Sequence, residues 1–340
     1  MPGKFRDILS FISRLNTQKM GNGLKLVGSF YLSRLKRKPY VAGLPASISI
    51  EPTTSCNLRC PQCPSGLRSF SRPTGMIDPD VFKKAIDELS GVLCFLNFYF
   101  QGEPYLHPQF TEMVAYAESK GIYTATSTNA HYLTPQNAEK TVQSQLSRLV
   151  ISLDGLDQDT YEKYRVGGSL DKVLSGIKNL VAAKKKLKSK KPYIIIQYLV
   201  MKHNENEARQ VKKLVKELGA NEARYKTVQI YDYENGSELL PENEHRSRYQ
   251  KDSNGKYQIK NKLYNHCWKM WHSSVIAWDG RVVPCCFDKD AKYKLGSIAD
   301  HSFADVWQGS AYQDFRKNLF ISRKSIDICQ NCTEGTKVWI

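Results

Sequence analysis

The stretch CNLRCPQC, residues 56–63, sets Cys56, Cys60 and Cys63 within eight positions, directly after the alternating apolar run SISIEP, residues 47–52. Such alternation reads as a strand, so the thiols fall on the loop that leaves a strand's C-terminal end. Three thiolates on one loop can ligate three irons of a [4Fe–4S] cube and leave the fourth iron open, whereas a structural zinc site calls for four closed ligands. No fourth cysteine lies nearby; the others are Cys94, Cys267, Cys285, Cys286, Cys329 and Cys332.

Outward from this loop, β-rich runs alternate with helical ones from residue 47 to about 231. SISIE (47–51), LCFLNFYF (93–100), IYTATST (122–128), RLVISLD (148–154), YIIIQYLV (193–200) and RYKTVQIY (224–231) read as six strands. The segments between them carry helical periodicity, with Asp78, Thr134 and Ser169 as N-caps and Gly121 and Gly219 as stops. Strict alternation implies a parallel sheet with right-handed crossovers. Six units are two short of a closed eightfold barrel, so an open, partial barrel is expected. Ligands of such folds bind at the loops that follow the strands. Those loops carry CNLRCPQC, QGEP (101–104), STN (127–129) and SLDG (152–155), where Ser152 and Asp154, two apart, would share a face.

At these residues the chain resembles the radical S-adenosylmethionine (SAM) superfamily. CNLRCPQC fits the family's C-x3-C-x2-C loop, and FQGEP (100–104) fits its second-strand GGEP element. The resemblance spans about residues 47–231. It implies that Cys56, Cys60 and Cys63 hold a [4Fe–4S] cluster whose open iron is chelated by the amine and carboxylate of SAM. It further implies that Gly102 and Glu103 face the SAM amine, and that Asn129 and Ser152, with Asp154 as a further candidate, meet the SAM carboxylate and ribose. Arg165, ahead of Gly167 and Gly168, could grip a carboxylate or be an ordinary surface arginine. Gln197, the lone polar residue of IIIQYLV, could bond the ribose or a neighbouring polar group. Gln62 departs from the family pattern, which has an aromatic or apolar residue near the adenine.

After residue 232 a polar, turn-rich stretch leads to a cysteine-bearing module from about 262. Cys267, Cys285, Cys329 and Cys332 supply four thiols, the number that closes a second [4Fe–4S] cluster or a zinc site. CWKMWHSSVIAWDGRVVPC (267–285), with Gly280 four residues before Cys285, resembles the SPASM/twitch extensions of radical SAM enzymes, and LGSIAD, FADVW and CQNC follow in their usual order. With eight residues left after CQNC, one auxiliary cluster, the twitch-like form, is expected, and Cys286 is the spare thiol, which could replace Cys285 as ligand although the glycine spacing argues for Cys285. The fold expected is therefore α/β: a partial (β/α)6 TIM-like barrel followed by a small cysteine-rich SPASM/twitch-like α+β module. The segments are 1–46 (basic, amphipathic), 47–240 (core) and 241–340 (auxiliary module).

Composition sets outer bounds. The longest uncharged apolar run, residues 91–102, is too short to span a bilayer, and no cleavable signal is visible, so the chain reads as cytoplasmic. Cys94 within that run reads as a small core hydrophobe. The net charge is +17, of which residues 1–46 supply nine Lys/Arg against Asp7 alone. Phe5, Ile8, Leu9, Ile12 and Leu15 recur there at helical spacing. These helices are expected to pack on their own domain, for instance over the barrel's open edge, or alternatively to lie on an anionic membrane and bring the active site to a lipid-linked or envelope substrate. The KKKLKSKK run (184–191) follows a helix and reads as a solvated face.

The function implied is that of a radical SAM oxidoreductase. It removes a substrate hydrogen and passes an electron to the auxiliary cluster, with dehydrogenation of a small molecule or sugar alcohol favoured. A SPASM-type peptide maturase is the alternative, although only 46 residues precede the first strand and leader-binding domains are longer. A non-catalytic, metal-stapled nucleic-acid binder is suggested by charge alone. RNA-modifying members of the family usually add a domain that has no room here, so no nucleic-acid partner is expected. The implied partners are a small-molecule or peptide substrate and a reductant such as flavodoxin or ferredoxin. Lys226, Tyr231, Asp232 and Glu234, near the end of the sixth strand, could supply an acid or base.

Overall fold

The computed structural model describes residues 2–335. Six parallel strands stand side by side in chain order: β1 (Ser47–Ile50), β2 (Phe95–Asn97), β3 (Tyr123–Thr128), β4 (Arg148–Ser152), β5 (Tyr193–Val200) and β6 (Glu222–Thr227). Their alternation has a direct structural cause. Ile48, Leu96, Ile151 and Ile196 are fully buried on the helix side, while Ser49, Asn97, Ser127, Ser152 and Gln197 point to the interior of the half-barrel.

Helices α1 (Pro2–Ile12) and α2 (Thr17–Lys36) precede the barrel, and α3 (Pro64–Leu67) lies in the cysteine loop. The crossovers are α4 (Pro79–Leu89), α5 (Phe110–Ser119), α6 (Pro135–Gln143), α7 (Gln158–Glu162) with α8 (Leu170–Lys186), and α9 (Ala208–Glu217). Asp78, Thr134 and Ser169 each accept a backbone N–H of the first turn, as N-caps do. Gly121 and Gly219 take left-handed φ of 70° and 75° where their helices stop. β6 ends earlier than its run of β-formers predicts. Beyond it, Ile230 N is drawn to the Tyr249 hydroxyl at 2.9 Å and Tyr231 N to Gln62 Oε1 at 3.0 Å, which takes both out of the ladder.

A hairpin of β7 (Tyr249–Lys251) and β8 (Tyr257–Ile259) leads to the C-terminal module. There α10 (Lys269–His272) runs into β9 (Ser273–Ile276), followed by β10 (Arg281–Val283), β11 (Gly296–Ser297), α11 (Phe303–Gln308), α12 (Ser310–Ser322) and α13 (Asp327–Gln330). β9 pairs in parallel with β1, from Ser47 opposite Ser273 to Ile50 opposite Ile276, and β10 and β11 continue antiparallel. Barrel and module thus share one nine-stranded sheet.

The N-terminal helices pack on their own domain, as expected, but not over an open edge of the barrel. The edge beside β1 is taken by β9, and α1 and α2 instead lie across the N-terminal ends of the strands. Asp7 accepts from the Tyr123 hydroxyl and the Arg148 guanidinium at the starts of β3 and β4. Lys19 Nζ donates to Gly121 O at 2.7 Å, and Asn22 bonds the Leu44 backbone in both directions at 2.8 and 3.0 Å. Trp271 and Trp307 of the module donate indole N–H bonds to Tyr40 O and Gly43 O, each at 2.9 Å. Cys94 is only half-buried at this end, and is not a core residue. Among the described residues no helix is long and apolar enough to cross a membrane.

Candidate active site

The C-terminal ends of the strands open into a cavity of about 520 Å³, walled by the cysteine loop on one side and by the module on the other. Two devices fix the loop. Arg72 returns from it to grip Glu51, at the end of β1, with two bonds of 2.8 and 2.6 Å. Gly66 of α3 packs against the Cys60 backbone so closely that a Cβ would lie 2.6 Å from Cys60 N.

Cys56, Cys60 and Cys63 all border the cavity. Burial pushes the Cys56 thiol up to about 12 and raises Cys60, so ligation by either must displace a proton. The donors a thiolate would use are in place. Leu58 N lies 3.5 Å and Asn129 Nδ2 3.9 Å from Cys56 Sγ, and Arg165 Nη1 lies 3.8 Å from Cys60 Sγ. Among the described residues no three His, Cys, Asp or Glu side chains gather about a point that one metal ion would fill.

Gly102, Glu103, Asn129, Ser152, Arg165 and Gln197 border the same cavity. Gly102 has φ of 75° and a Cβ there would stand 2.1 Å from Thr53 O, so only glycine fits. Glu103 is buried, and it accepts from Thr128 Oγ1 at 2.7 Å, Asn129 N at 2.8 Å and Tyr105 N at 3.3 Å. Burial nevertheless lifts its carboxyl to about 7. Asp154 differs from the expectation. β4 ends at Ser152, so the shared-face rule does not extend to it, and Asp154 is fully buried behind Arg165. It accepts from Arg165 Nε at 2.5 Å and Leu199 N at 2.7 Å and does not border the cavity. Gln62 borders the cavity while tying the cysteine loop to Tyr231.

In the module, Cys267, Cys285, Cys329 and Cys332 line a second, small apolar cavity, whereas Cys286 turns towards the first. The buried Arg323 directs Nη2 at Cys332 Sγ from 3.3 Å, and Glu334 N reaches the same sulfur at 3.3 Å. Burial pushes Cys329 up to about 12 and Cys332 to about 11. Gly335, at φ of 79°, sits where a Cβ would lie 2.3 Å from Cys267 Sγ. Lys269 and Phe287 border both cavities and stand between the two thiol sets.

Sequence reasoning missed several cavity residues, among them Asn97, Tyr99, Arg248 and Lys289. The first two were accessible from the period of two along the run 93–100, of which β2 is the paired part; the others lie on irregular segments with no pattern to read. Of the residues named near the sixth strand, Lys226 borders the cavity, and Tyr231, Asp232 and Glu234 do not.

The family model of the Radical SAM superfamily matches residues 50–215, and that of the SPASM iron-sulfur cluster-binding domain matches residues 267–333. The chain belongs to the radical SAM superfamily and carries a C-terminal SPASM domain. It is an enzyme of the class that works with a [4Fe–4S] cluster and SAM, and its SPASM domain adds iron–sulfur binding. Over 319 residues it is 27% identical to the tungsten-containing aldehyde ferredoxin oxidoreductase cofactor-modifying protein of Pyrococcus furiosus, covering 84% of this chain and 86% of that one. It is 32% identical over 177 residues to the AdoMet-dependent heme synthase of Methanosarcina barkeri, covering 52% of this chain and 48% of the synthase, about half its length. In fold it resembles Streptococcus suis SuiB bound to precursor peptide SuiA, with a TM-score of 0.62 at 15% identity over 93% of this chain and 75% of that one.

Proposed function

We propose that the chain is an oxidoreductase that dehydrogenates a small hydroxylated molecule, with Cys56, Cys60 and Cys63 holding the SAM-binding cluster and Cys267, Cys285, Cys329 and Cys332 an auxiliary one. When bound, the first cluster and SAM supply a 5′-deoxyadenosyl radical that breaks a substrate C–H bond. Gly102 and Glu103 hold the SAM amine, and Asn129, Ser152 and Gln197 offer hydrogen bonds to its carboxylate and ribose. Arg165 grips the carboxylate, and Asp154 keeps that guanidinium aimed. Cys285 ligates in preference to Cys286, which faces the other way.

The observation that carries this reading is the wall of Lys269 and Phe287 shared by the two cavities. A substrate beside the first thiol set lies next to the second, where an electron can be accepted. The cavity also favours an acidic group on the substrate. Lys226, Arg248 and Lys289 border it, and among the described residues none of the three is in a salt bridge, although Glu334, which also borders the cavity, lies near Lys226 and Arg248. A flavodoxin or ferredoxin supplies the first electron.

Reconstituted anaerobically, the enzyme should hold roughly eight irons per chain. The triple variant C56A/C60A/C63A should keep about four irons and form no 5′-deoxyadenosine. The C329A/C332A variant should still cleave SAM while losing the oxidised product. If that product persists, the electron-accepting role is wrong; if only peptides are modified, the chain is a maturase. Lys226→Met and Lys289→Met should raise KM by about tenfold for an anionic substrate, the scale of one charge-assisted bond.

A further inference from the structure

α1 and α2 are amphipathic, and each exposes an apolar stripe while its inward face makes polar contacts, beside the buried Leu26 and Phe30 in α2. A surface helix ordinarily buries its apolar stripe and shows its polar face. In α1 the inward face carries Asp7, with Phe11 edge-on against the Tyr123 ring, and Arg14 follows just beyond the helix. Asp7 is bonded to Tyr123 and Arg148, and Arg14 reaches Glu118 at 2.6 Å. Its apolar stripe, Phe5, Ile8, Leu9 and Ile12, faces solvent, with Phe5 62% exposed. In α2 the inward face holds Lys19, Asn22, Ser29 and Ser33 beside Leu26 and Phe30. Ser33 there accepts from Tyr40 N at 2.9 Å. Met20, Leu24, Tyr31 and Leu35 recur at helical spacing on the opposite side, and Leu24 and Leu35 are 75% and 82% exposed. Ten of the eighteen large apolar side chains exposed among the described residues fall within residues 5–40, a concentration of the kind that marks an interaction surface.

The charges around these stripes have one sign. Lys4, Arg6, Lys25 and the run Lys36, Arg37, Lys38 are exposed, and Asp7, the sole acidic residue of the segment, is buried against Arg148. We infer that this floor of two helices docks on an anionic lipid bilayer. Apolar side chains strung along two consecutive helices and flanked by lysine and arginine match a helix lying in a membrane interface, whereas protein interfaces concentrate their energy in a central pocket. Because α1 and α2 cross the N-terminal ends of the strands, the cavity at the C-terminal ends opens away from the lipid. The docked enzyme therefore takes its substrate from the aqueous side, not from within the bilayer.

Flotation of the cluster-loaded full chain tests the inference, using phosphatidylglycerol–phosphatidylcholine vesicles against phosphatidylcholine alone at about 0.1 M salt, where the Debye length is near 10 Å. The wild type should float with the anionic vesicles and stay behind with the neutral ones. Replacing Lys36, Arg37 and Lys38 by Gln should weaken partitioning about a hundredfold, from about fivefold per charge. L24S/L35S should abolish flotation while leaving the circular dichroism spectrum and SAM cleavage unchanged. Binding to anionic vesicles no stronger than that of L24S/L35S overturns the inference. So does a dimer in sedimentation without vesicles that L24S/L35S converts to a monomer, which would make the stripes a contact between two copies of this chain.

Discussion

Glu103 shows how much one buried carboxyl can weigh. Its carboxyl stands at about 7 because burial opposes ionisation more than its three donors favour it, against 4.5 in an open chain. Between those values the unfolded chain has released a proton that the folded one still holds, so stability falls as pH rises from about 4.5 to about 7. Across that range the wild type should lose about 3 kcal/mol relative to Glu103→Gln, read from chemical denaturation of the two at matched pH. Glu51 and Arg72 pose a different case, since both are buried and Glu51 also accepts from Trp278 N of the module at 3.2 Å. Arg72→Met strands a carboxylate in the core and should cost about 3–5 kcal/mol, while E51M/R72M should recover most of it. Residues of this kind divided by chemistry in how well sequence disclosed them. The cysteines and Glu103 sit in motifs, whereas Arg72 holds Glu51 across a loop of ordinary composition, and Asp154 looked like a ligand residue because its true partner, Arg165, is eleven positions on.

At the scale of elements, the strands and crossovers were legible because local rules and packing agree: caps at Asp78, Thr134 and Ser169, and alternation along β1 to β5. Disagreement arose where a tertiary partner overrode the pattern. The tail of the sixth run leaves the sheet for Tyr249 and Gln62, and α1 and α2 present their apolar stripes to the outside because polar contacts with β3, β4 and the residues before β1 claim their other face. The turn after α13 gives a test at this level. Gly335→Ala must displace Cys267, so the variant should lose about four of eight irons while SAM cleavage persists, measured as iron content and 5′-deoxyadenosine from one preparation. Unchanged iron would mean that the turn yields without disturbing that sulfur.

For the whole molecule, the barrel and its module were foreseeable separately and their union was not, since nothing local in SSVI announces that β9 will pair with β1. That pairing also has a meaning in time. During synthesis β1 leaves the ribosome early, and one row of its backbone hydrogen-bonding groups has no partner until residues 273–276 follow. Contacts so distant along the chain form late and slowly, and the half-built sheet is open to wrong partners in the interval. Ribosome-stalled chains cut by a protease should therefore stay sensitive around residues 47–50 when translation halts at about residue 240, and gain protection only after β9 has emerged. The same strand also sets an order of events: Cys267 emerges just before it and Cys285, Cys329 and Cys332 only after it, so the second set of cysteines is completed on a barrel whose first strand is already covered.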